Sequence, residues 1–164
     1  MKRARAQHGR KGFTLIEILI VVVIMGILAA TVLPQFTSRS EDAKVSAVTQ
    51  NLQLLRSQIQ LYRFQHDGSL PLATELEQKL TSRTKLDGTV DPSGPFGPYI
   101  IGQLPPNPFN GLRTVKAASA SPIPATDVDG QSGWIYNETT GEIKINSNEP
   151  YVDADGRTRN VFDL

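Results

Sequence analysis

Two hydrophobic patterns of different period occupy the first third of the chain. From Phe13 to Leu33 nearly every side chain is apolar, and Glu17 is the only ionisable group in these 21 residues. A helix of about 20 apolar residues crosses roughly 30 Å of hydrocarbon, so the segment is long enough to span a bilayer. Further on, Val45, Val48, Leu52, Leu55, Ile59 and Tyr62 recur at spacings that alternate between three and four. That spacing lines them up along one side of a helix. Gln50, Gln53, Arg56, Gln58, Gln60 and Arg63 fall between them and suit a solvated face. Pro34, between the two patterns, lacks an amide donor and crowds the preceding turn, which predicts a kink. Asp67-Gly68 and Pro71 end the element, with Gly68 free to take the left-handed conformation after the last turn. Phe13 to about His66 therefore reads as one kinked helix, roughly 80 Å long at ~1.5 Å per residue. Two separate helices or a coiled coil are the alternatives. The flanks lack the regular opposite charges of a coiled coil.

Thr74-Glu75-Leu76-Glu77 has the form of a capping box, and a short helix over 74–82 would bury Leu76 and Leu80. Residues 85–125 are broken by Pro92, Pro95, Pro98, Pro105, Pro106, Pro108, Pro122 and Pro124 and read as a long loop. Phe96, Tyr99 and Phe109 within it suit core positions beneath the loop. Trp134-Ile135-Tyr136-Asn137 and Glu142-Ile143-Lys144-Ile145-Asn146 read as a β-hairpin over 134–146, with Gly141 closing the turn in the left-handed conformation. Such a hairpin is marginal alone, so the stripe from Val48 to Tyr62 is expected to cover it. Residues 147–164 read as an acidic C-terminal loop. The fold class is α+β: a long kinked N-terminal helix whose apolar half protrudes and whose amphipathic half packs on a small antiparallel sheet. A bare apolar helix of that length is stable only in lipid or bundled with copies of itself.

Charge changes the picture at both ends. Lys2, Arg3, Arg5, Arg10 and Lys11 give the first twelve residues five cations and no acid. Cations before a membrane segment stay cytoplasmic. The overall charge of +1 conceals a mildly acidic remainder. Without those five cations, twelve Lys and Arg face sixteen acids, a side-chain sum of −4. With no basic stripe after Pro34, nucleic acid is not an expected partner. The apolar run is too long for an ordinary secretory signal and contains Glu17, and Leu28-Ala29-Ala30 is a poor match to the small-x-small cut site. With no cysteine, disulfides and thiolate metal sites are excluded. His8 lies in the basic leader and His66 at a helix end. No nucleophile elbow or phosphate-binding loop is present, so catalysis has no visible basis.

Gly12-Phe13-Thr14-Leu15-Ile16-Glu17 resembles the prepilin processing site shared by type IV pilins and the pseudopilins of type II secretion. Gly26 and Pro34 sit where that family often places a helix-loosening glycine and a proline. The Pro-Asn-Pro stretch at 106–108 is similar to G-type, or major, pseudopilins. The resemblance implies a leader over 1–12, cut between Gly12 and Phe13 by a prepilin peptidase, with N-methylation of Phe13. It implies a transmembrane and assembly helix over 13–34 in the bacterial inner membrane and a periplasmic head over 35–164, with its helix continuing through 35–66. Assembly would rest on Glu17, Gly26 and Pro34, with Glu17 meeting the new amine of a neighbour's Phe13. Implied partners are copies of itself, the peptidase, an inner-membrane assembly platform, minor pseudopilins and membrane lipid. The implied function is that of a structural subunit of a secretion pseudopilus. A type IV pilin for adhesion, motility or DNA uptake is an alternative, and a membrane-anchored binding domain that never polymerises is another.

No motif in the sequence identifies a cofactor outright. G-type pseudopilins carry calcium in their C-terminal loops, which makes Ca2+ a candidate here, with Asp127, Asp129, Asp153 and Asp155 as candidate ligands. Each pair flanks an Asp-Gly turn, and neither segment completes the twelve-residue calcium loop. Ordinary turn chemistry accounts for the same residues.

Overall fold

The computed structural model describes residues 13–153 and 155–164; for residues 31–39 it describes the backbone alone. The chain divides into two compact units, residues 1–40 and 41–164. Helix α1 covers Leu15–Gln65, 51 residues, and its backbone is helical through Pro34. One continuous helix therefore replaces the alternative of two. At its end the amide of Gly68 donates to the carbonyl of Arg63 at 2.9 Å. Asp67 (φ 51°) joins Gly68 (φ 83°) in the left-handed region, the geometry that satisfies the last helical carbonyls.

In the second unit the stripe is core. Val48, Leu52, Leu55, Ile59 and Tyr62 are buried, and Val45 partly so. They pack in one cluster with Leu76 and Leu80 of α2 (Leu76–Thr81), with Leu104, and with Trp134, Tyr136, Ile143 and Ile145. The capping box expected at Thr74–Glu77 does not form. Glu75 is the N-cap residue and makes no side-chain cap bond. Its carboxylate instead reaches forward one turn to Lys79 at 2.9 Å.

Strands β2 (Trp134–Tyr136) and β3 (Ile143–Ile145) form the expected antiparallel pair, with Trp134 opposite Ile145 and Tyr136 opposite Ile143. The turn between them is tied by Asn137. Its Oδ1 accepts from the amides of Thr139 and Thr140, each at 3.0 Å, and Gly141 takes φ 80°. Strand β1 (Val115–Ala117) lies inside the segment expected to be all loop and pairs parallel to β2. The connection over 118–133 is long enough for a parallel crossover, which takes roughly a dozen residues. Ile135 sits opposite the main core, in a second cluster with Ile123 and Phe162. The sheet is thus covered on both faces, not by the helix alone.

The C-terminal segment is also more ordered than its composition suggests. Strands β4 (Pro150–Val152) and β5 (Thr158–Asn160) form a second antiparallel hairpin. Asp153 organises its turn: Oδ1 accepts from the amides of Asp155 (3.0 Å) and Arg157 (2.9 Å), and Gly156 has φ 78°.

Candidate functional site

The described side chains of the first unit, residues 13–30, are all exposed. Phe13 and Leu15 are more than four-fifths exposed, and the row continues through Ile16, Ile18, Leu19, Ile20, Val22 and Ile24. Near the start of the helix, Phe13, Leu15, Ile18, Leu19 and Val22 line a shallow groove. A contiguous apolar surface of this kind marks an interaction site or a membrane contact. No helix among the described residues is long and apolar enough to cross a membrane. The described side chains of this stretch, 13–30, end short of the roughly 20 residues a full crossing takes.

Glu17 has a partner within its own chain. Its Oε2 accepts from the Thr14 amide at 2.8 Å and from the Thr14 hydroxyl at 3.0 Å, while Thr14 Oγ1 accepts from the Glu17 amide at 3.2 Å. This is a reciprocal capping box: Thr14 caps the helix start and Glu17, three residues on, reaches back to it. A carboxylate in the first turn also faces the positive end of the helix dipole. The expectation that Glu17 waits for a partner from another subunit left out this local one. The Thr-x-x-Glu spacing at 14–17 was the available signal. Both side-chain bonds end on Oε2, and Oε1 takes no hydrogen bond among the described residues.

Of the other expected assembly and processing residues, Phe13 stands exposed at the start of the described chain, and Gly12 lies outside the described residues. Gly26 is in mid-helix with nothing within 4 Å of where a Cβ would stand. No contact among the described residues requires a glycine there. Pro34 is helical in backbone, and its side chain lies outside the described set.

The C-terminal acids are held by donors of the chain. Asp127 accepts from the Ser119 amide and hydroxyl, both at 2.7 Å. Those two bonds hold its carboxyl below the ordinary range. Asp129 accepts from Lys116 Nζ at 2.7 Å, Asn146 Nδ2 at 2.7 Å and the Gln131 amide at 3.0 Å. The ammonium of Lys116 is the largest cause of its low pKa. Asp153 is bound by the Arg157 amide and by Arg159 Nε at 2.6 Å, and Asp155 lies 3.6 Å from Arg157. Among the described residues, no three acidic, histidine or cysteine side chains converge in a metal-binding group. Calcium takes six to eight oxygens. Here a lysine ammonium already sits on the oxygens around Asp129, so this donor set does not fit the ion.

Comparison with known proteins agrees with the N-terminal features. Residues 7–33 match the family described as the prokaryotic N-terminal methylation motif. The chain is 44% identical over 132 residues to type II secretion system core protein G of Pseudomonas aeruginosa, covering 79% of this chain and 91% of that one. It is 32% identical over 138 residues to core protein G of Vibrio cholerae, covering 81% and 88%. The ComG operon protein 3 homolog of Bacillus licheniformis is 33% identical over 69 residues, or 42% of this chain and 71% of that one. No solved structure gives a significant match. A processing signature, a bare apolar helix that opens on a glutamate, and a pilin-like head, together with similarity across nearly the whole of core protein G, place this chain in the type II secretion core protein G family, the G-type major pseudopilins.

Proposed function

We propose that the chain is the main structural subunit of a type II secretion pseudopilus. It is made with a leader over 1–12, cut by a prepilin peptidase between Gly12 and Phe13, and methylated on the new N-terminus. Residues 13–34 hold it in the bacterial inner membrane by a single pass, with the head over 35–164 in the periplasm. From that pool, with the help of an assembly platform and minor pseudopilins, it polymerises into a helical filament that promotes protein export. Its role is mechanical and needs no catalytic group.

The observation that carries this reading is the pairing of an exposed apolar helix with a carboxylate at its first turn. Among the described residues such a rod is left uncovered, and it gains a cover by stacking side by side with identical rods. Among the described residues, Glu17 Oε1 is left for a second donor. The amine that cleavage creates on a neighbour's Phe13 suits it, since a charge inside a low-dielectric bundle is tolerable only when paired. The same contact repeated without closing builds a fibre. A competence pilus is less well supported, because similarity to the ComG protein covers 42% of the chain against 79% for core protein G. The test is the mass of the native N-terminus together with filament yield in cells carrying the secretion system. A mature chain starting at methylated Phe13 and recovered in sheared filaments is expected. A chain starting at Met1, or one recovered only as monomer, overturns the proposal.

A further inference from the structure

The turn leading into β2 is closed by a cation that belongs to the chain itself. Lys116, at the centre of β1, places Nζ 2.8 Å from the backbone carbonyl oxygen of Asp127 and 2.7 Å from Oδ2 of Asp129. Asn146, fully buried just after β3, clasps the same turn from the other side. Its Oδ1 accepts from the amides of Asp129 (2.9 Å) and Gly130 (3.1 Å). Its Nδ2 donates to Asp129 Oδ1 and to Ser132 Oγ, both at 2.7 Å. Ser132 Oγ in turn donates to the Trp134 carbonyl at 3.0 Å. A carboxylate oxygen and a loop carbonyl thus converge on one point, the kind of oxygen ligands a hard divalent ion takes. The ammonium donates into both, with strength gained from the carboxylate's charge. Asp127 does not compete for it, because its two oxygens are taken by Ser119.

We propose that Lys116 is the resident cation of this loop: its ammonium joins residues 127–129 to β1 where a bound divalent ion would otherwise have to do so, and the head therefore folds without calcium. The device is local. One lysine tethers the turn to β1, and one buried asparagine tethers it to the end of β3. The charge needed to hold an acidic turn beside a sheet is supplied covalently, so the fold is indifferent to the ion content of its compartment.

Thermal unfolding of the full-length protein in detergent, followed by the fluorescence of Trp134, tests this directly. The unaltered chain should melt at the same temperature in excess EDTA and in millimolar calcium. Lys116→Met keeps the stem and removes the ammonium. It should lower Tm by about 2–5 °C in both buffers, given that the pair is partly exposed. Asp129→Asn should cost a similar amount, and the double variant should lose clearly less than the two single losses combined. A rise in Tm of the unaltered chain with calcium, a fall with EDTA, an unchanged Tm for Lys116→Met, or fully additive losses would each overturn the proposal. None of these readouts depends on filament formation.

Discussion

Thr14 and Glu17 hold each other in both directions: the carboxylate takes the Thr14 amide at 2.8 Å, and the Thr14 hydroxyl takes the Glu17 amide at 3.2 Å. The glutamate at the head of the apolar helix therefore does local work before any second subunit arrives. It satisfies a helix-start donor that the helix itself leaves without a partner. The pairing role proposed for Glu17 and this capping role need different properties of the side chain. Capping needs an acceptor oxygen, whereas pairing with an ammonium needs a charge.

Glu17→Gln separates the two roles, because glutamine serves in a capping box as glutamate does. The variant should stay membrane-inserted and helical, yet yield few filaments, as Glu17→Ala and Glu17→Lys should. Thr14→Ala, which weakens the cap and keeps the charge, should assemble nearly normally. Immunoblots of sheared filaments against total protein measure both. Normal filament yield from Glu17→Gln would reduce Glu17 to a cap.

Gly26 makes a complementary case. A Cβ at this position meets nothing within 4 Å, and alanine favours a helix interior by about 1 kcal/mol over glycine. The single subunit should tolerate Gly26→Ala, with unchanged or higher helix content by circular dichroism. In a packed bundle, small residues let helix backbones approach closely. Gly26→Leu should therefore lower filament yield while leaving the subunit's helicity and membrane level intact. Wild-type yield from Gly26→Leu would show that no neighbouring helix approaches there.

The parts of the fold that could be read in advance are those that repeat. The stripe from Val45 to Tyr62 holds one phase over five intervals, and each of its members faces the core. The β2–β3 hairpin announced itself through its two apolar strands and through Gly141, whose left-handed turn conformation few other residues supply. Strands β1, β4 and β5 are three residues each and too short to express an alternation. They exist because backbone pairs and turn carboxylates hold them. The Lys116 clasp joins polar residues far apart in sequence, and nothing in their spacing marks them. The two Thr-x-x-Glu segments teach a further lesson. The one at 74–77 looks like a cap and is not, because the helix begins one residue later than that box requires, with Glu75 rather than Thr74 at the N-cap. The one at 14–17 is a cap hidden behind its charge.

Leu54 and Leu55 are chain neighbours set about 100° apart around α1. Leu55 is fully buried against the sheet, and Leu54 is exposed. Leu55→Ala should cost about 2–5 kcal/mol, lowering Tm by roughly 5–15 °C. Leu54→Ala should stay within about 0.5 kcal/mol. Paired thermal melts check both, and equal losses would mean that the helix is rotated from the orientation seen here.

Tyr62 stacks on the buried His66, with ring centroids 3.8 Å apart. Burial pushes its phenol up to about 12 from an ordinary 10, and the nearby Tyr99 adds to the rise. A phenol held neutral in the folded state stabilises fully below the unfolded value. Its contribution is lost as pH climbs from about 10 towards 12, where the unfolded chain ionises and the folded one does not. Stability should thus be level on the approach to pH 10 and fall beyond it, with tyrosinate absorbance appearing as the fold opens. Tyr62→Phe should flatten part of that fall.

Tyr136 is the stricter case, because its hydroxyl is buried with no hydrogen-bond partner among the described residues. A buried hydroxyl that has given up water and gained nothing is a net loss, and removing it forfeits no bond. Burial also drives this phenol well above its ordinary range, with Glu138 adding to the rise, so it shares in the alkaline sensitivity. Tyr136→Phe keeps the ring that packs opposite Ile143 and deletes only the oxygen. The variant should be as stable as the parent or more so, by up to about 1 kcal/mol at neutral pH, and its advantage should widen above pH 10. The usual buried Tyr→Phe change breaks a hydrogen bond and destabilises, so the sign alone decides. A loss of more than about 1 kcal/mol would mean that the hydroxyl is satisfied after all by an internal water.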